Sequence, residues 1–226
     1  DTNIRSVEDP VEYHLAGISQ MAVNAKIGLT FASGLRSYLR HDPDVIMVGE
    51  IRDQETADIA IQAALTGHLV FSTLHTNDAA GAFTRLIDMG VEPFLVSSSL
   101  ELAMAQRLVR RLCPLCKLPY EPSPEELAEI GITRQQIDRV GGLLYKPCGC
   151  KECNNSGYKG RTAIYEMMVI NDAIRRYVMQ RADAATIKRE AESNGMTTLR
   201  ADGIDKVLAG ISSIPEILRV TQDTSD

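Results

Sequence analysis

An α/β fold built on a parallel sheet is predicted by three features of the sequence. Apolar runs at 45–48 and 69–71 alternate with stretches of helical periodicity, the run at 45–48 is continuous rather than period-2, and polar or acidic residues follow each run. Strand, helix, strand, helix in that order implies right-handed crossovers and hence parallel strands. In such sheets the ligand crevice lies beyond the carboxyl ends of the strands.

The elements follow in chain order. A first strand is expected over 3–7, closed by Glu8-Asp9-Pro10. Val45-Ile46-Met47-Val48, bounded by Asp42-Pro43-Asp44 and Gly49-Glu50, reads as a strand buried on both faces. Ala57, Ala60, Ile61, Ala64 and Leu65 fall at helical spacing, with Asp53 as N-cap and Gly67 just past the end. Leu69-Val70-Phe71 is the next strand and ends at Ser72-Thr73-Leu74-His75. A helix capped by Asn77 or Asp78 then runs through Met89 to a stop at Gly90.

From Leu112 the texture changes to proline, glycine and cysteine, with one helix at 124–130. After Gly160 come a strand-like run at 162–170 and helices at 172–181, 183–194 and 198–209, the last stopped by Gly210. The expected parts are therefore 1–111, an α/β core; 112–160, a metal-clamped subdomain; and 161–226, a C-terminal strand and helices.

Composition excludes several classes. With 44% hydrophobic and 24% charged residues the 226-residue chain is neither disordered nor collagen-like, and no apolar run reaches the roughly 18 residues of a bilayer span. Lys and Arg total 24 against 30 Asp and Glu, so no global field draws nucleic acid. A zinc-ribbon nucleic-acid module survives as an alternative through Arg107, Arg110, Arg111, Lys117, Lys159 and Arg161. These are interleaved with apolar residues and lack an aromatic stacking set, so a subunit or acidic-lipid contact is the favoured reading and no specific nucleic acid is expected. The N-terminal residues are polar, without a signal core, which makes the cytoplasm the default. They also lack an initiating Met and read like the inside of a domain, as a piece of a longer chain would.

Two motifs carry chemistry. Glu50 emerges at the carboxyl end of a buried strand, where an acid can hold the hydration shell of Mg²⁺ or orient an attacking water. Glu8, Asp9 and Glu12 follow one neighbouring strand and His75, Thr76 and Asn77 another, so three strands deliver acids and an imidazole toward one edge. His68 precedes its strand and belongs at the opposite end unless Gly67 bends the chain. Arg52, Arg85 and Arg107 are candidate phosphate or interface groups. The second motif is a pair of C-x-x-C turns, Cys113/Cys116 and Cys150/Cys153, whose four thiolates suit a closed structural zinc site. Cys148 is an alternative to Cys150, although Cys150 preserves the two-residue spacing.

Val7–Tyr13, Ile27–Phe31, Asp42–Asp53 and Thr66–Asp78 resemble the Asp box, connecting segment, Walker B region and His box of the secretion ATPases, the hexameric motors of type II secretion and type IV pilus assembly. The resemblance implies a RecA-like core using ATP and Mg²⁺. Glu50 would be the Walker B glutamate and Glu8 a second catalytic acid. His75, His68, Asp9 and Arg52 would sense or contact phosphate. It also implies a homohexamer at the inner face of the bacterial inner membrane, working with a polytopic platform protein and a membrane-anchored recruiting protein. Gly157–Arg161 resembles the family's exit from its cysteine site, and the Zn²⁺ motif favours secretion or pilus extension over retraction. Type II secretion is the leading expectation and pilus extension the alternative. No Gly-x-x-x-x-Gly-Lys-Ser/Thr loop occurs in the sequence. In the family it lies upstream of the Asp box, so these residues alone are expected to be inactive.

Overall fold

The computed structural model describes residues 2–221. Its central sheet has four parallel strands, β1 (Ile4–Glu8), β2 (Ser19–Ala22), β3 (Val45–Val48) and β4 (Leu69–Ser72), in the order β2-β1-β3-β4. Val7 lies opposite Val48, and Val48 opposite Ser72, so the residues following these positions leave the sheet at one edge. Parallel pairing and crossovers through helices are as the sequence predicts.

Helices pack on this sheet. Helix α1 (Phe31–Tyr38) begins in a capping box between Thr30 and Ser33 and presses so close to β1 that a Cβ on Gly34 would stand 3.1 Å from a Val7 methyl. Helix α2 (Gln54–Leu65) has Asp53 as its N-cap, accepting from the Thr56 amide at 2.8 Å. Gly67 turns the chain with φ near 103°. Val7, Leu35, Ile46, Val48 and Phe83 fill the core.

Two expectations need correction. The helix after β4 is α3 (Gly81–Asp88), and its N-cap position is Ala80 with no side-chain cap, so neither Asn77 nor Asp78 caps it. Among the described residues β4, present as expected, is an edge strand with Leu69 and Phe71 each 54% exposed, whereas burial on both faces, expected of β3, is incomplete. In β3 only Ile46 and Val48 are fully buried, their neighbours being half-buried. An apolar run reports a hydrophobic preference but not how many neighbours the strand finds.

The chain forms two compact units. Of the described residues, the first takes 2–76, 80–103 and 169–191, and adds helices α4 (Pro93–Ser99) and α7 (Asp172–Met179) to the sheet. The second takes 77–79, 104–168 and 192–221. It is built on a ribbon of two long strands, β5 (Leu102–Leu112) and β8 (Tyr158–Val169). The Ile170 amide meets the Glu101 carbonyl at one end and the Cys113 amide meets the Gly157 carbonyl at the other, which sets the two strands antiparallel. A small hairpin, β6 (Leu118–Tyr120) with β7 (Leu144–Lys146), carries α5 (Pro124–Ile130) and α6 (Arg134–Arg139) between its strands. Helices α9 (Leu199–Leu208) and α10 (Ile214–Thr221) complete this unit, and α8 (Ala184–Ser193) precedes them in the chain.

Candidate nucleotide site and tetracysteine centre

The carboxyl edge of the sheet gathers Glu50, Arg52 and His75. Glu50 follows β3 by two residues, and its side chain is 13% exposed. Its Oε2 accepts from His75 Nε2 at 3.0 Å and pairs with Arg52 Nε at 2.5 Å. The Arg52 hydrogen bond holds the Glu50 carboxyl below the usual range against the opposing cost of burial, with a smaller contribution from His75. Glu50 is thus an ionised acceptor near neutral pH. Its Oε1 takes no hydrogen bond from the described residues.

Gly49 explains why the acid does not follow the strand directly. A Cβ there would meet Val7 O at 3.2 Å, Glu8 Cα at 3.3 Å and Phe31 Cε1 at 3.4 Å, so a side chain at this position would crowd the neighbouring strand. The Gly49 amide donates to Val7 O at 2.8 Å, and its carbonyl accepts from Thr73 Oγ1 at 2.7 Å. These bonds fix the backbone beneath Glu50 from both sides.

Glu8 ends β1 at the same edge. Its Oε1 accepts from Ser6 Oγ at 2.5 Å and from Gln20 Nε2 at 3.0 Å, while Oε2 takes no hydrogen bond from the described residues. Ser6 and Gln20 are positioning groups that sequence reasoning missed. A short polar residue two before a strand-end acid, on the same strand face, was the available signal. Asp9, exposed beside Glu8, adds a favourable field to the Arg52 guanidinium, whose charged form is held chiefly by the Glu50 hydrogen bond.

His68 is placed elsewhere. It precedes Leu69, whose amide binds Asp44 O at the amino end of β3, and its Nδ1 lies 2.8 Å from Ala63 O and 3.2 Å from Thr66 Oγ1 at the end of α2. Gly67 does not bend the chain back, so His68 and His75 occupy opposite ends of one strand.

The four sulfurs of Cys113, Cys116, Cys150 and Cys153 lie within 4.8 Å of one another. Cys113 to Cys150 is 3.9 Å, Cys116 to Cys153 is 3.8 Å and Cys150 to Cys153 is 3.7 Å. Four thiolates at about 2.3 Å from a tetrahedral ion stand about 3.8 Å apart, so the donor set fits Zn²⁺. Cys148 is exposed and outside the cluster. The amides of Cys150 and Gly157 each donate to Cys153 Sγ at 3.2 Å, and these bonds lower its pKa against the cost of burial, whereas burial raises that of Cys116. Gly157 must lack a side chain, because a Cβ would stand 2.4 Å from Pro147 Cβ.

A family profile described as "Type II/IV secretion system protein" matches residues 1–219. The chain belongs to this family. It is 53% identical over 221 residues to the type II secretion system protein E of Pseudomonas aeruginosa, covering 98% of this chain and 43% of that protein. It is also 53% identical over 221 residues to the type IV pilus assembly ATPase PilB of Thermus thermophilus, covering 98% of this chain and 25% of that one. The chain therefore spans less than half the length of these curated relatives. A crystal structure of the pilus retraction motor PilT with bound ADP superimposes with a TM-score of 0.69 at 26% identity, over 98% of this chain and 53% of that one. These matches agree with a RecA-like parallel core in this secretion-family chain.

Two buried carboxylates outside the sheet edge also escaped sequence reasoning. Glu216, fully buried in α10, receives Arg110 and Arg219 and is drawn down to about 2, the two guanidiniums overcoming the cost of burial. Glu166, fully buried in β8, accepts backbone amides. The signal for Glu166 was an acid on the apolar face of a period-2 run, between Ile164 and Met168. Of the candidate arginines, Arg107 binds the Asn77 carbonyl.

Proposed function

We propose that this chain is the catalytic part of an ATP-hydrolysing secretion motor that drives pseudopilus assembly in type II protein secretion. The observation that carries the reading is Glu50, ionised at the carboxyl edge of a parallel sheet, with His75 and Arg52 on one oxygen and the other oxygen open. Glu8 offers a second carboxylate with one open oxygen from the neighbouring strand. Two such groups suit the oxygen-seeking, water-rich coordination of Mg²⁺. When bound with ATP, Mg²⁺ supplies charge neutralisation at the β/γ-phosphates.

The residues divide the work by their electrostatics. A carboxylate held below its ordinary pKa is a weak proton acceptor, so Glu50 orients a water and a cation's hydration shell rather than carrying off a proton. His75, whose side chain is 80% exposed, is positioned to exchange its Glu50 bond for a phosphate oxygen. Arg52 can leave Glu50 for phosphate in the same way, and Asp9 steadies it. His68 keeps a phosphate-sensing part only toward a neighbouring protomer, because its own Glu50 is at the other strand end.

The finer reading includes a homohexamer, Zn²⁺ in the tetracysteine subdomain over 112–160, and docking at the cytoplasmic face of the inner membrane on a platform protein and a membrane-anchored recruiter. No helix among the described residues is long and apolar enough to cross a membrane. Similarity to pilus assembly PilB is equal in identity, so pilus extension stands as the alternative reading. The test is hydrolysis. These 226 residues alone should turn over ATP negligibly, for want of a phosphate-cradling loop. The longer polypeptide bearing a Gly-Lys-Ser/Thr loop should hydrolyse it and lose that activity on Glu50→Gln. Full turnover by the Glu50→Gln protein would refute the assignment.

A further inference from the structure

The second unit carries an open cleft of about 630 Å³, lined by Leu108 and Arg110 of β5, Tyr158 and Arg161 of β8, and Glu216 and Arg219 of α10. That volume is within the range of small-ligand pockets. Glu216 is buried, and both its oxygens are filled. Its Oε1 accepts the Arg110 backbone amide at 2.9 Å and Arg219 Nη2 at 2.7 Å. Its Oε2 accepts Arg110 Nε at 2.9 Å and Nη2 at 2.6 Å, and Arg219 Nε at 3.0 Å. The Arg110 guanidinium also lies 4.1 Å from the centre of the Tyr158 ring, whose hydroxyl is 2.7 Å from that of buried Ser213. Two guanidiniums are thereby held in one geometry, yet their side chains stay 47% and 58% exposed. Their Nη1 groups have no partner among the described residues.

This cation exceeds what the buried acid requires. Arg110 alone gives Glu216 a backbone amide and two guanidinium bonds. Arg219 is a second cation, and Arg161, exposed and without a side-chain partner among the described residues, is a third. Three guanidiniums against the single carboxylate in the lining leave two positive charges on the cleft. A carboxylate ligand would balance one of them. A phosphate monoester carries nearly two negative charges and three acceptor oxygens, which planar N–H forks engage in pairs. Guanidiniums already fixed by Glu216 lose little further freedom in doing so.

We propose that this cleft, made wholly of second-unit residues, binds a phosphate monoester through Arg110, Arg161 and Arg219, the group belonging to a soluble compound or to a lipid headgroup. It needs nothing from the sheet edge and stands apart from the reading of Glu50.

The experiment is nuclear magnetic resonance on the 226-residue chain, following arginine Nε–Hε signals, with inorganic phosphate as the probe at mildly alkaline pH. The signals of Arg110, Arg161 and Arg219 should move together and saturate, and acetate at equal ionic strength should leave them in place. Arg161→Ala, a change at an exposed side chain, should weaken phosphate binding about tenfold or more with the remaining spectrum unchanged. Arg161→Lys should recover only part of the loss, because an ammonium lacks the planar fork. The absence of a saturable shift, or undiminished affinity in Arg161→Ala, overturns the proposal. So does a glutamate-rich peptide that moves the three signals as strongly as phosphate, which would make the cleft an acidic-protein contact. Co-sedimentation with phosphatidylcholine vesicles containing phosphatidic acid, lost without that lipid and lost on Arg161→Glu, identifies the headgroup as the source. Phosphate binding without such retention identifies a soluble one.

Discussion

The sheet edge around Glu50 and the tetracysteine cluster solve opposite problems with the same kind of group. At the edge, each acid has one oxygen held and one open: Glu50 by Arg52 and His75, Glu8 by Ser6 and Gln20. In the cluster the four thiols face one another, and backbone amides cover two of the sulfurs. A site that must accept a changing substrate leaves valences unfilled, at a cost in local order. A site that must hold loops together fills them all. The difference predicts which perturbations show in stability and which only in turnover.

The sharpest break should come from metal removal. Chelation of the zinc-loaded chain should unfold the region around Cys113–Cys153, because structural zinc binding contributes on the order of 10 kcal/mol to folding in small domains. Hydrogen exchange should rise at Cys113, whose amide binds Gly157 O, and stay unchanged in β1 and β3. Cys153→Ser should do the same without chelator. Protection of Cys113 that survives both treatments would show that the cluster is not a structural clamp.

Glu50→Gln is the counterpart at the open edge. In the longer polypeptide it should lower turnover about a hundred- to a thousandfold, the range for removing one electrostatic group from a preorganised site. Stability should move by less than about 0.5 kcal/mol, since the Gln side chain still accepts from His75 and Arg52. A large loss of stability would place Glu50 with the clamps instead.

A third carboxylate tests whether closure alone gives stability. Glu216 is fully buried between Arg110 and Arg219, and its carboxyl is drawn from 4.5 to about 2. A depressed acid contributes stability that is complete above the unfolded value and is lost as pH falls from about 4.5 toward about 2. The loss should be of order 3 kcal/mol, read by denaturant unfolding of the second unit, and Glu216→Gln should flatten that acid limb.

How much of this was legible follows from where the physics is local. The strand ends, the Asp53 cap and the two C-x-x-C pairs depend on neighbours in sequence, and all stand where the sequence put them. The exposure of Leu69 and Phe71 depends on which strands flank β4, which no run of apolar residues encodes. The residues before α3 are not legible locally either: the Ala79 amide donates to Glu166, 87 residues away. The helix start carries no side-chain cap, so Asn77 and Asp78, though good cap residues by type, are not used as one. His68 shows the same limit from the other side: its place beside Ala63 follows from strand direction alone, and a motif-level assignment overrides that direction only if the chain bends.

The smallest effect is also the cleanest control on the comparison. Cys148 stands two residues before Cys150 and competes with it in sequence, yet its thiol is exposed while the four-sulfur group closes without it. The Gly149 amide donates to Cys116 Sγ at 3.3 Å, and a Cβ on Gly149 would stand 2.9 Å from Asn155 O. Shifting the ligand role to Cys148 would therefore have to pull this turn away from the sulfur it supports. Cys148→Ser should leave zinc stoichiometry unchanged and stability within about 0.5 kcal/mol, while Cys150→Ser should lose the metal. Equal zinc retention by both variants would mean that either thiol can complete the shell, and the distinction between an open edge and a fully committed cluster would then fail at the cluster.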